Sequence, residues 1–122
     1  MINSVYITLR DRGLFALVKA IFWLSIASFN KYVLKNKFIK KNIYTYQMSL
    51  DLNDPGISRT LLLFGEREID HKLMLEKILK PGMVVFDIGA NIGYYPLMEL
   101  GLIGKTGKLL AIEPSPSNVE LL

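Results

Sequence analysis

Hydrophobic positions change their period several times along the chain, and each change marks an element. Residues 14–29 are apolar almost without interruption, broken only by Lys19, Ser25 and Ser28. That run predicts a helix about 24 Å long at the usual rise. Residues 44–52 alternate strictly. Tyr44, Tyr46, Met48, Leu50 and Leu52 fall on one side, with Thr45, Gln47, Ser49 and Asp51 on the other. Period two over that length predicts a half-buried strand. Asn53-Asp54-Pro55-Gly56 reads as a turn, and residues 57–64 as a short helix stopped by Gly65. Within residues 66–80, Ile69, Leu73, Met74, Leu75, Ile78 and Leu79 recur at helical spacing with charges between them, and Pro81-Gly82 closes that helix. An apolar run through Val84, Val85 and Phe86 then enters Asp87-Ile88-Gly89-Ala90-Asn91-Ile92-Gly93, the pattern of a buried strand feeding a helix through a bend of small residues. The helix continues to about Leu100, with Pro96 in or near its first turn, where a missing N–H is tolerated. Glycines 101, 104 and 107 mark a loop. Residues 108–112 form a second apolar strand ending at Glu113-Pro114, and Ser117-x-x-Glu120 has the form of a capping box opening one more helix.

Helix, strand, helix, strand and helix in that order predict an α/β fold with a parallel sheet and right-handed crossovers. Ligands of such sheets sit beyond the carboxyl ends of the strands, where Asp87 and Glu113 both stand. The expected organisation is a hydrophobic helix and basic connector over 1–43, a lead-in strand and helices over 44–80, and the start of a ligand-binding domain over 81–122. Only the first two parallel strands are present, preceded by a helix and a short β element. A central strand would then lack a neighbour, so the chain is expected to be a fragment or truncated reading frame, poorly stable alone.

Charge divides the chain. Residues 1–42 hold eight Lys/Arg against the single acid Asp11, and residues 43–122 hold seven Lys/Arg against ten acids. The acidic balance of the second part argues against a nucleic-acid partner. Arg10, Arg12, Lys31, Lys35, Lys37, Lys40 and Lys41 flank the apolar run. Two readings stand side by side: a peripheral membrane helix with contact through residues 14–41, or a helix docked on the domain beside a solvated connector. The chain has no cysteine and one histidine, His71, so no disulfide and no metal site is expected. His71 is expected at the surface. The expected location is cytoplasmic, with or without membrane association.

The bend and the second acid carry the chemistry. Gly89 and Gly93 have no Cβ, so backbone N–H groups can approach a ligand closely, and a helix starting near Gly93 aims its positive end at an anion. The spacing is Asp87-x-Gly89-x-x-x-Gly93, not the G-x-G-x-x-G of dinucleotide sites. Glu113 follows Gly93 by 20 residues at the tip of the second strand. An ionised carboxylate there accepts hydrogen bonds from both hydroxyls of a ribose, a feature shared by NAD and S-adenosylmethionine sites.

An acid ending a strand, followed by G-x-x-x-G, resembles the first motif of S-adenosylmethionine-dependent methyltransferases. The run KPGMVVFDIGANIGYYPLMELGLIGKTGKLLAIEPSPSNVELL is similar to the FkbM-type methyltransferase family, and LDLNDPGISRTLLLFGERE resembles the segment that family carries ahead of its core. Together they cover roughly residues 48–122. The resemblance implies a Rossmann-like methyltransferase sheet with S-adenosylmethionine as cofactor. It implies that Gly89, Ala90, Asn91 and Gly93 form the loop against the methionine part, with Asp87 supporting that end and Glu113 on the ribose. Tyr94 either shapes the cofactor or substrate wall or packs. Glu68 matches a family acid ahead of the core, with an ion pair or cap as an equal reading. Pro96 departs from the threonine of the family pattern. The resemblance further implies O-methylation of a sugar or natural-product hydroxyl, hence a small-molecule or glycan acceptor. A general base is required for such an acceptor, and no catalytic residue is assigned. Two other functions compete: an NAD-binding oxidoreductase fragment, and a non-catalytic membrane-surface module built on the basic, apolar N-terminus.

Overall fold

The structure, a computed structural model, describes residues 2–122, with side chains from residue 10 onward. The chain forms two compact units, residues 1–67 and 68–122.

The first unit opens with α1 (Ile2–Ser28), which is interrupted at Gly13 (φ 80°, ψ 172°) and prolonged by a π-helical turn, Phe29–Val33. A hairpin follows, β1 (Phe38–Ile43) antiparallel to β2 (Tyr46–Asp51), with Phe38 opposite Asp51 and Ile43 opposite Tyr46. The alternation expected for residues 44–52 holds over 46–51: Met48 and Leu50 point inward and Leu50 is fully buried, whereas Tyr44 (φ 53°) and Thr45 form the hairpin turn. The segment read as a basic connector contains β1. Its lysines hid the strand, because outward Lys40 and inward Lys41 leave no clean period of two. Asp54 shapes the next turn by accepting the N–H of Gly56 at 2.7 Å and of Ser58 at 2.8 Å. α2 (Ile57–Phe64) then ends at Gly65, which is left-handed at φ 80° as a helix stop requires. Ala20, Ile43, Met48, Leu50, Leu61 and Leu62 make the core of this unit.

Lys41 is the unusual member of that core, only 8% exposed. Its ammonium donates to the carbonyls of Leu61 (3.0 Å) and Leu62 (2.6 Å) and lies 4.4 Å from the centroid of the Trp23 ring. Those carbonyls belong to the last turn of α2, where the Leu61 carbonyl also accepts the Gly65 N–H at 2.8 Å and a cation is favoured. Burial, and then the charge of Lys19, push its pKa down to about 8.

The second unit runs α3 (Ile69–Ile78), β3 (Val84–Ile88), α4 (Tyr94–Ile103), β4 (Lys108–Ile112) and α5 (Pro116–Val119). β3 and β4 pair in parallel with Val84 opposite Lys108 and Ile88 opposite Ile112. This is the α/β architecture expected, a partial Rossmann-like methyltransferase fold whose two parallel strands are joined through a helix. α4 packs on both strands, and the alternation of each strand turns Val85, Asp87, Leu109 and Ala111 to the more buried face. The opposite face is apolar and open: Val84, Phe86, Ile88, Leu110 and Ile112 are all exposed. The last helix is capped by Ser115 with Pro116 in its first turn, so Ser117 lies inside it and the Ser117–Glu120 capping box does not form. Proline at the first helical position fixes the start two residues earlier than that motif suggested.

Candidate functional site

The strand-to-helix bend is built from left-handed residues. Gly89 (φ 87°), Asn91 (φ 53°) and Gly93 (φ 85°) all have positive φ, which glycine adopts without strain and asparagine tolerates better than most residues. A Cβ on Gly93 would stand 3.1 Å from Leu122 Cδ1. The bend is tied to the tip of β4. The N–H groups of Gly89 (2.8 Å) and Ala90 (3.1 Å) both donate to the Ile112 carbonyl. Asn91 N–H donates to Glu113 Oε2 at 2.8 Å. Ile92 N–H is held by the Asn91 side chain at 2.9 Å, and Gly93 N–H by the Ala90 carbonyl at 3.0 Å. The loop amides expected to cradle a ligand anion are therefore occupied from within. The anion standing at the bend is the carboxylate of Glu113.

Glu113 is thus brought onto the bend from 20 residues away. Its Oε1 also accepts Ser115 N–H (2.9 Å) and the Asn118 amide (3.1 Å). The Ser115 and Asn91 amides hold its carboxyl below the ordinary carboxylate range. A carboxylate has about four lone-pair positions; three are used, and the remaining one is on Oε2. A ribose diol can therefore take one hydrogen bond as the site stands, and the second on displacing the Asn118 amide.

Beside the bend lies a cavity of about 180 Å³ lined by His71, Met74, Leu75, Asp87, Tyr95 and Glu99. Asp87 is the penultimate residue of β3, and Glu99 is one helical turn beyond Tyr95 on α4. Two buried oxygens here, Asp87 Oδ2 and Glu99 Oε2, have no hydrogen-bond partner. Burial pushes the Asp87 carboxyl up; burial, and then the Asp87 charge, push the Glu99 carboxyl up. Two desolvated like charges make a local excess of negative potential that a cation would relieve. In the same wall the Tyr95 hydroxyl donates to Glu68 Oε2. His71 Nδ1 lies 3.0 Å from that hydroxyl and 3.6 Å from the same Glu68 oxygen.

Of the residues expected at the site, Asp87, Gly89, Ala90, Asn91, Gly93 and Glu113 lie in or against one bend. Tyr94 is in the core at 2% exposure, packed against Tyr95 with ring centroids 5.2 Å apart. The neighbouring Tyr95 faces the cavity instead. His71, Tyr95 and Glu99 were not anticipated as site residues. One signal for Glu99 was present: a carboxylate inside the otherwise apolar run of α4, one turn after an aromatic residue. Among the described residues no cluster suits a metal ion.

Fold and site together show an α/β unit in which a glycine-containing bend and the Glu113 carboxylate meet at the tips of two parallel strands. Comparison with known proteins adds a class. Ribosomal RNA large subunit methyltransferase E of Bdellovibrio bacteriovorus is 37% identical over 59 residues, covering 48% of this chain and 29% of the relative. The protein of the same name from Buchnera aphidicola subsp. Cinara cedri is 38% identical over 73 residues, covering 54% of this chain and 34% of the relative. The chain thus spans about a third of the length of the curated relatives it matches. No family model and no solved structure matches it. The similarity is to methyltransferases, and the FkbM-type assignment gains no match. These relatives overturn the expectation of a small-molecule or glycan acceptor with no nucleic-acid partner, since they are named for ribosomal RNA. The acceptor was implied by the FkbM resemblance, and the exclusion of nucleic acid rested on a charge count. Asp87, Glu99 and Glu113 lie at the cavity and the bend, and without them the acids and bases of residues 43–122 are equal in number.

Proposed function

We propose that residues 68–122 are the cofactor-binding part of an S-adenosylmethionine-dependent methyltransferase whose acceptor is RNA. The observation that carries the cofactor is the meeting of Glu113 with the bend through Asn91 N–H, at the carboxyl ends of parallel strands. The two unpartnered carboxylates beside it suit a ligand that carries positive charge, as this cofactor does on its sulfonium and its ammonium. The RNA acceptor is taken from the names of the matched methyltransferases.

In this reading Asp87 and Glu99 face the cationic end and Glu113 meets the ribose. Gly89, Ala90, Asn91 and Gly93 shape the bend between them, the N–H groups of Gly89, Ala90 and Asn91 holding the two strand tips together and that of Gly93 closing the bend on Ala90. When bound, S-adenosylmethionine supplies a methyl group already activated for displacement. The residues of this chain bind and orient it, and orientation is a large part of what such a transfer needs.

The test is photo-cross-linking of methyl-labelled S-adenosylmethionine to the purified protein, followed by peptide mapping. Label on peptides containing residues 84–99 or 108–118 is the expected result. Label elsewhere, or none that unlabelled cofactor competes away, refutes the cofactor site. The acceptor is tested separately by counting methyl label transferred to large-subunit ribosomal RNA by the whole gene product. Binding without transfer to RNA would refute the acceptor alone.

A further inference from the structure

The first unit carries an apolar surface that the methyltransferase reading leaves unused. Leu14, Phe15, Val18, Ile21, Phe22 and Phe29 of α1 and its π-turn are between 53% and 83% exposed. At 100° per residue these six positions fall within an arc of about 120°. The buried Ala20 and the half-buried Leu17, Trp23, Leu24 and Ala27 lie outside that arc, on the side that packs against α2 and meets Lys41 of the hairpin through Trp23. The helix therefore has two apolar faces, one docked and one bare. Of the apolar window that runs from Arg10 to Val33, only 6% is buried. Docking uses only one of the two faces.

Charge identifies the occupant of the bare face. Lys19, Lys35, Lys37 and Lys40 are exposed in the same unit, and Arg10 and Arg12 precede the break at Gly13. A bare aromatic-rich stripe with lysines around it complements a bilayer surface containing anionic lipid. An RNA duplex would use the lysines and leave the stripe without a partner.

Geometry also decides how the helix lies. From Leu14 to the end of the π-turn at Val33 is 20 residues, about 30 Å of helix and enough to cross a hydrocarbon core. Yet the unit is attached at the middle of that rod, through Ala20 and the Trp23–Lys41 contact. A crossing would place an open-edged two-stranded hairpin at bilayer depth, where its unpaired N–H and C=O groups have no water. We propose that residues 14–33 lie in the plane of an anionic membrane surface, bare stripe down, and hold the protein there as a peripheral membrane protein.

The experiment is flotation of the full chain with vesicles of phosphatidylcholine alone and of phosphatidylcholine mixed with phosphatidylserine. The protein is expected to float with the mixed vesicles and to lose partitioning in added salt, by about fivefold for each lysine that is screened. Phe15→Glu/Phe22→Glu, both on the bare face, should reduce partitioning tenfold or more while leaving the circular dichroism of the free protein unchanged. Because the chain has no cysteine, single nitroxide labels at positions 15, 22 and 29 report depth in an otherwise native sequence. Equal shallow depths are expected. Depths that grade across the bilayer would overturn the in-plane arrangement. Failure to float, flotation unaffected by the two glutamates, a soluble dimer with the stripe covered by a second copy, or lysine-dependent binding to RNA in place of vesicles would each overturn the proposal.

Discussion

Replacing Lys41 by methionine tests what a buried ammonium costs the first unit. The ordinary lysine value is 10.5, and the folded value is pushed down to about 8. For a base with a depressed pKa the sign is fixed. Below pH 8 both folded and unfolded chains hold the proton, and the cost of the buried charge is fully present. Between about 8 and 10.5 the folded chain has released the proton and the unfolded chain has not, so stability rises with pH. Above that window the gain is complete. At 1.36 kcal/mol per unit the rise amounts to about 3 kcal/mol. That figure is a ceiling, because the carbonyls of Leu61 and Leu62 and the Trp23 ring favour the charged form. Other lysines and the tyrosines titrate in the same range, so the informative quantity is the difference between the native protein and Lys41→Met. Trp23 is the single tryptophan of the chain and lies under the ammonium, so its fluorescence reports both urea unfolding of this unit and the titration itself. The expected result is a native emission change with a midpoint near pH 8 that Lys41→Met lacks, together with a rise in unfolding free energy seen only in the native protein. Identical pH dependence in the two proteins, or a midpoint at the ordinary lysine value, would refute the reasoning.

Glu99→Gln is expected to stabilise the second unit at neutral pH. The carboxyl pKa is raised by burial and by Asp87, so native stability falls as pH climbs from the unfolded carboxyl value through the folded one, and the amide removes that fall. A lower urea midpoint for the variant at neutral pH would contradict this. Gly93→Ala should cost about 1–2 kcal/mol, because its φ of 85° is left-handed and the new methyl group meets Leu122; far-ultraviolet circular dichroism on heating would record the loss, and an unchanged transition would show that the bend relaxes. Glu113→Gln removes a carboxyl whose pKa is held low by the Ser115 and Asn91 amides. The native hold on the bend is complete above the unfolded carboxyl value and lost as pH falls through the folded one. Protection of the Asn91 amide against exchange, taken relative to its intrinsic rate at each pH, should fall on acidification in the native protein and be low at every pH in the variant.

The parallel strands were legible because each is a short, mostly apolar run with an acid at or just past its carboxyl end, bounded by glycines and prolines. The helix 57–64 was legible because Gly65 stops it. β1 was not, since a lysine buried against helix carbonyls breaks the alternation that marks a strand. The bend itself could be read from Gly89 and Gly93, and its partnership with Glu113 from their separation. What the bend amides do could not be read. Spacing places donors near a site but does not say that Ile112 and Glu113 have already engaged them. The acid pair was hidden for a related reason: Asp87 and Glu99 lie on different elements, and only the packing of α4 on β3 brings both to one cavity. The two-sided character of α1 was masked because two apolar stripes on one helix read as a uniform apolar run.

The central claim is that the tips of β3 and β4 form a pocket for the adenosyl and sulfonium parts of S-adenosylmethionine. Calorimetric titration of the protein with S-adenosylmethionine, and separately with NAD, tests it most directly. The account predicts saturable heat with S-adenosylmethionine alone, weakened about tenfold or more in Glu113→Gln by loss of a charge-assisted hydrogen bond. Binding of NAD in its place, or affinity for S-adenosylmethionine that Glu113→Gln leaves intact, would contradict it.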